Sequence, residues 1–239
     1  MEATGYRASP LTLCCYLHRD LVMELWTIQT EEAWRALNRN GYLRCRRSNA
    51  DRDFLPAYIW MASKMVARIG CPTKSGSLPL WAWYQYDNAR QRRPDLRRSG
   101  HLPRGTCGYR IGFTIPDNQV LLSDFELWHY VLNYWYLPRS ERDAANFDSR
   151  YESLRCSWAT PPRNQRINAT IQSSWDRIFD LDWSDEYVAL PKSKKSIQAT
   201  FWRLDLSQVT SADYFGSSAE FVGHAAREAM LKRTEDSVC

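Results

Sequence analysis

The sequence predicts an α+β fold, a single domain in which a central, mostly antiparallel sheet has helices inserted between its strands. Three observations carry this. Short alternating strands and helical periods of 3.6 residues succeed one another from Leu25 to Phe215. The chain shows no internal repeat and no clean linker. Eleven tryptophans are spread through the whole body rather than clustered, as one shared core requires.

The elements follow in order. Residues 1–22 read as an N-terminal extension, with Met23 directly before the first strand, Leu25-Trp-Thr-Ile-Gln29. Thr30 then suits a helix N-cap, Glu31 and Glu32 fall in the first turn, and Gly41 suits the residue after the helix. Phe54–Ile69 is a second amphipathic helix, with Tyr58, Met61, Met65 and Ile69 in register. Leu80–Tyr86 is a strand; strict alternation puts Trp81, Trp83 and Gln85 on one face. Residues 87–108 form a long basic loop, of the length that is often functional.

Tyr109–Ile115 alternates as a strand, Pro116-Asp-Asn118 turns, and Val120–Leu122 returns. Ser123 and Glu126 have the spacing of a capping box for the next helix. On that helix Phe125, Trp128 and Leu132 share a stripe, and His129 and Asn133 share the next. That polar pair either faces a pocket or is satisfied within the helix. Residues 139–162 are polar and ambiguous. Asn164–Leu181 is helical by period, Leu190–Lys195 a basic turn, Ser196–Leu204 a strand and Val209–Phe215 a last short strand. Residues 216–239 read as a helical tail. The domain proper is thus expected over residues 23–215.

Formal charge is only +5, yet two arginine-rich sets stand out. One runs from Arg90 to Arg104; the other comprises Arg35, Arg39, Arg44, Arg46, Arg47 and Arg52. Arginine fits phosphate bidentately, so RNA, DNA or a nucleotide is an expected partner, against the alternative of solvated basic loops. Within the first set Arg93-Pro-Asp-Leu-Arg97 is the sharpest feature, because Pro94 stiffens it and Asp95 can hold either arginine in place. Seven cysteines, odd in number and without a C-x-x-C pair, argue against a zinc ribbon or disulfide framework and for a reducing cytoplasm. The apolar run Leu11–Leu17 is too short to span a membrane, so no membrane partner is expected.

No Walker loop, G-x-G-x-x-G, H-E-x-x-H or G-x-S-x-G occurs, and no metal spacing joins His18, His101, His129 and His224. What remains are polar strand residues that can face one cleft: Thr27 and Gln29, Trp83 and Gln85, Gln198 and Thr200.

Seven blocks carry a resemblance. Leu25–Gln29, Ala57–Met61, Leu80–Trp83, Arg93–Arg97, Leu121–Asn133, Trp175–Asp180 and Ile197–Trp202 resemble, in order, a bacterial and phage family of uncharacterised domains, domain-of-unknown-function family 3841, over about residues 24–215. At the level of fold, the opening strand, the helix ending in Gly and the late strand are similar to the ADP-ribosyltransferase group. That resemblance implies NAD as cofactor, held by a polar first-strand residue, with aromatic rings around the nicotinamide and a late-strand residue orienting the acceptor. Carried over by position, Thr27 and Gln29 are the first-strand motif and Gln198 the late-strand residue. In that reading Thr27, Gln29 and Trp83 contact the nicotinamide half, and Arg93 and Arg97 hold pyrophosphate or the acceptor backbone. His129 and Gln198 orient the reacting groups, which makes Gln29, His129 and Gln198 the candidate catalytic residues. The late strand lacks the group's glutamate and the first strand its His or Arg, which points away from protein arginine and leaves a nucleic-acid acceptor, as in a toxin or phage-conflict effector, or an inactive enzyme. The alternatives are a non-catalytic PUA-like RNA- or DNA-binding module and a protein-binding accessory factor, such as an antitoxin.

Overall fold

The computed structural model describes residues 21–153 and 162–216. The predicted helical tail and nearly all of the predicted extension lie outside the described residues. Strand β1 (Val22–Thr30) runs into helix α1 (Glu31–Asn40). Two short strands, β2 (Tyr42–Leu43) and β3 (Cys45–Arg46), precede α2 (Leu55–Ile69). Then come β4 (Ser77–Leu78), β5 (Leu80–Gln85), β6 (Gly108–Pro116) and β7 (Leu121–Asp124). Helices α3 (Phe125–Leu132), α4 (Glu141–Ser153) and α5 (Gln165–Ser174) are followed by β8 (Ile197–Phe201), β9 (Leu204–Asp205) and β10 (Val209–Phe215).

Six of these strands form one sheet in the order β10-β6-β1-β5-β8-β7, antiparallel throughout. β1 and β6 pair along their whole length, from Val22↔Pro116 to Thr30↔Gly108. The short strands pair outside this sheet, β2 with β9 and β3 with β4.

Each face of the sheet has its own core. On one face Leu25, Ile111, Phe113, Ala82, Ala199 and Phe201 pack together, and α1 covers them through Leu37 and Trp34, whose ring lies 5.1 Å from that of Tyr109. On the other face α2, α3 and α5 bring Met61, Met65, Trp128, Val131, Ile167 and Ile171 around the buried Trp175. The indole N–H of Trp175 donates to the Trp135 carbonyl at 2.7 Å, so this large ring is buried with its polar atom satisfied.

α1 forms as its sequence dictates. Thr30 accepts a hydrogen bond from the Ala33 N–H, two acids occupy the first turn, and Gly41 ends the helix at φ 77° with its N–H donating to Leu37. A β-carbon is strained at that φ, so Gly41→Ala is expected to cost about 1–2 kcal/mol. Thermal denaturation would show this as a Tm lower by a few degrees.

Three local expectations are corrected. β7 does not return along β6; it joins β8 at the far edge, because β1 and β10 already occupy both sides of β6. The cap of α3 is Asp124 rather than Ser123. Strand pairing continues through Asp124↔Ile197, and Asp124 Oδ1 then accepts the N–H groups of Glu126 (3.0 Å) and Leu127 (3.2 Å). A bulge between Trp83 and Gln85 breaks the alternation of β5, so Gln85 leaves the face of Trp83. The segment that was ambiguous by sequence contains α4, and the helix expected over 164–181 is α5 followed by a tighter turn at Trp175–Phe179.

Candidate functional site

β1 and β5 are neighbours, yet they pair at one position, Trp26↔Trp83. Beyond it the strands part: the end of β1 stays with β6, and the start of β5 stays with β8. Thr27 holds the fork together, its hydroxyl donating to the Trp81 carbonyl at 2.7 Å. The Gln29 amide donates in turn to the Thr27 hydroxyl at 2.8 Å.

A cavity of about 590 Å³ opens in this fork. Its floor is Ile28–Thr30 and Pro79–Trp81; α1, residues 42–51 and Tyr58 of α2 wall it. Three rings border it (Tyr42, Tyr58, Trp81), together with two guanidinium groups (Arg44, Arg46) and two carboxylates (Glu32, Asp51). Arg44 Nε is buried and has no hydrogen-bond partner in the protein, a costly arrangement for a charged donor unless something else satisfies it. Burial, and then the neighbouring Cys45 and Asp51, push the Tyr58 hydroxyl up. Burial also pushes the Cys45 thiol up, so it stays protonated and is not an activated nucleophile.

The residues singled out by sequence separate into three places. Thr27 and Gln29 are at the fork, with Gln29 on the cavity and Thr27 buried beneath it. Trp83 and Gln198 are not there. Trp26, Trp83, Gln198 and Ser123 stand opposite one another across four strands and project from one face; Thr27 and Gln29 are offset to the other. The Trp83 ring meets Phe125 at 5.0 Å, and Phe125 meets His129 at 4.8 Å. His129 Nδ1 lies 3.1 Å from the Phe125 carbonyl, and Asn133 donates to the His129 carbonyl at 2.8 Å, so the helix itself satisfies this pair. Gln198 Oε1 and Ser123 Oγ are buried without partners in the protein.

The loop arginines are committed elsewhere. Arg93 pairs with Asp213 at 2.6 Å, and Arg97 makes a fork on Asp95. Hydrogen bonds from Arg97 hold the Asp95 carboxyl well below the usual range. Burial pushes Asp213 up, but the bonds from Arg93 and Arg110 outweigh it and keep that carboxyl low. Arg92 is structural, donating to the carbonyls of Tyr84 and Glu24. Three of the first basic set, Arg93, Arg97 and Arg98, are thus paired with nearby carboxylates. The second set supplies the cavity, through Arg44 and Arg46. In the sequence nothing separates these two from the rest of the set; Arg44 lies between β2 and β3 and Arg46 in β3, and the two border the cavity together.

The family model for a domain of unknown function (DUF3841) matches residues 24–210. The chain belongs to this family. The matched span of the DUF3841 domain contains the entire fork and every residue that borders its cavity. No curated protein and no solved structure matches the chain. No helix among the described residues is long and apolar enough to cross a membrane. Among the described residues no group of three or more His, Cys, Asp or Glu is placed to hold a metal ion.

Gly108 supports the site from behind. It pairs with Thr30, and a β-carbon there would collide with the Gln29 carbonyl oxygen and a Leu102 methyl. Gly108→Ala should cost about 1–3 kcal/mol. It should also displace the cavity floor, which a Tm measurement and a ligand titration on the same sample would separate.

Proposed function

We propose that the fork cavity binds NAD and that this DUF3841 domain is an ADP-ribosyltransferase-like enzyme acting on nucleic acid. The observation that carries the reading is the position of Gln29. The polar first-strand residue, to which the fold-level resemblance assigns NAD binding, stands on the floor of the 590 Å³ cavity, where the central strands part.

The residues present suit such a ligand. The volume lies within the range of small-molecule and cofactor sites. Trp81, Tyr58 and Tyr42 offer ring faces for a nicotinamide or adenine. Arg44 and Arg46 offer charge for a pyrophosphate, and the unpartnered Arg44 Nε is the donor such an anion would satisfy. Bound NAD would supply the ADP-ribosyl group and a nicotinamide leaving group. The chain's own contribution is positioning and electrostatics. Gln29 has one of its two amide N–H groups committed to Thr27, which leaves the other N–H to donate and the carbonyl oxygen to accept from a ligand amide. Glu32 and Asp51 are the carboxylates at hand to take up the acceptor's proton.

This assignment changes the roles expected from sequence. Trp81 replaces Trp83, Arg44 and Arg46 replace Arg93 and Arg97, and His129 and Gln198 fall outside the cavity. The physical reasons are position along the sheet for Trp83 and Gln198, which stand level with the single β1–β5 pairing and not in the fork beyond it, helix self-satisfaction for His129, and local carboxylates for the two arginines.

The test is nicotinamide release from NAD by the purified chain, with and without RNA or single-stranded DNA. Release is expected to depend on nucleic acid, to vanish in Gln29→Ala and to survive in Gln198→Ala. Release that is lost in Gln198→Ala but kept in Gln29→Ala would move the site to the opposite face.

A further inference from the structure

We infer that a cationic groove joining the fork cavity at Arg44 seats a single-stranded polynucleotide. The inference deepens the proposed function by locating its acceptor, and rests on that reading for the acceptor's chemical fate, though the binding can be measured without it. Two smaller cavities, of about 270 and 260 Å³, adjoin the fork, and Arg44 lines both of them as well as the fork itself. Arg46, Lys74 and Arg203 complete their charged lining, and no Asp or Glu is found among the described residues that line them. Neither Arg46 nor Lys74 has an ion-pair partner among the described residues, unlike Arg93, Arg97 and Arg98 of the other basic set.

The fold builds this arrangement. β3 and β4 pair Arg46 with Ser77, and Gly76 at φ 75° closes the turn in front of Ser77. The Ser77 hydroxyl donates back to the Lys74 carbonyl at 2.8 Å, which holds Lys74 at the same mouth as Arg46. Tyr42 and Trp202 supply rings on the flank. The guanidinium of Arg203, itself bonded to Asp205, lies 4.3 Å over the Tyr42 ring, and the Trp202 indole donates to the Gly70 carbonyl at 2.9 Å, so both rings are held.

Recessed cations beside fixed rings suit a backbone of phosphates whose bases are splayed out to stack. A duplex keeps its bases stacked on each other and gains nothing from the rings. An acidic peptide would use the cations alone.

Fluorescence anisotropy with labelled oligothymidylate and oligouridylate of about twelve nucleotides, on the full chain without NAD, tests this. Three phosphate contacts, at Arg44, Arg46 and Lys74, predict that affinity falls roughly 20-fold between about 50 and 200 mM salt. Lys74→Glu should weaken binding roughly tenfold with unchanged Tm, and Tyr42→Leu should weaken it with an unchanged salt slope. Which oligomer binds more tightly names RNA or DNA. Equal affinity for a duplex, competition by polyglutamate at equal charge, or an unaffected Lys74→Glu would each overturn the groove. Lys74 does not line the fork, so a Lys74→Glu protein that still shifts its Tm with NAD but has lost the strand separates the two claims. Strand binding with no NAD response would sink the cofactor reading and leave a binding module.

Discussion

Replacing Lys195 by methionine is expected to destabilise the domain by about 3–5 kcal/mol. The sequence places Lys195 in a basic turn, yet its side chain is completely buried, 2.8 Å from the equally buried Asp124. That contact lies off a hydrogen-bond direction, so charge rather than a well-aligned bond holds the pair. Removing one partner leaves the other charge in the interior, where water cannot compensate it. Asp124 also caps α3, and Gln85 donates to the Lys195 carbonyl at 2.6 Å, so the pair ties the β5 bulge to the start of that helix. Asp124→Asn keeps a capping oxygen but strands the ammonium, and should cost a similar amount. The double variant should recover about 2 kcal/mol relative to the sum of the singles. Urea denaturation of the four proteins measures this, and strictly additive single effects would contradict the buried-pair account.

Replacing Arg44 by alanine should lower NAD affinity by roughly tenfold to a hundredfold, with little loss of stability. Its Nε is already unpartnered, so the fold gives up no hydrogen bond there, whereas a bound pyrophosphate would give up a charge-assisted one. Arg97→Ala is the matched control. It removes an arginine from the motif most conspicuous in the sequence, but one bonded to Asp95 and remote from the cavity lining. Equal loss in the two variants would return the anion site to the 87–107 loop.

Much of the fold was legible because local signals agreed with it. Thr30, the two acids and Gly41 specify α1 to the residue, and the alternation in β1, β6 and β8 fixes strands whose facing the register confirms. The site was legible only in part. Gln29 was singled out as a polar residue of the first strand, where the fold-level resemblance expects one, and Gln29 does reach the cavity. Trp83 and Gln198 do not join Gln29 at the cavity because sequence periodicity tells which residues share a face within one strand, not where along the sheet two strands meet or part. That depends on register, and here Trp26, not Thr27, stands opposite Trp83. The fork itself has no sequence signature. It arises where β1 follows β6 and β5 follows β8, a consequence of pairings between residues far apart in the chain. The Lys195–Asp124 pair was invisible for the same reason, since a lysine among other basic residues reads as solvated until the sheet closes over it.

Amide hydrogen exchange with and without NAD tests the central claim most directly, because it reports where the ligand sits without requiring turnover. Slowed exchange at residues 28–30, 42–51 and 80–81, with residues 121–129 and 197–200 unchanged, is the predicted result. Protection confined to residues 121–129 and 197–200, or none at saturating NAD, would contradict a dinucleotide site in the fork.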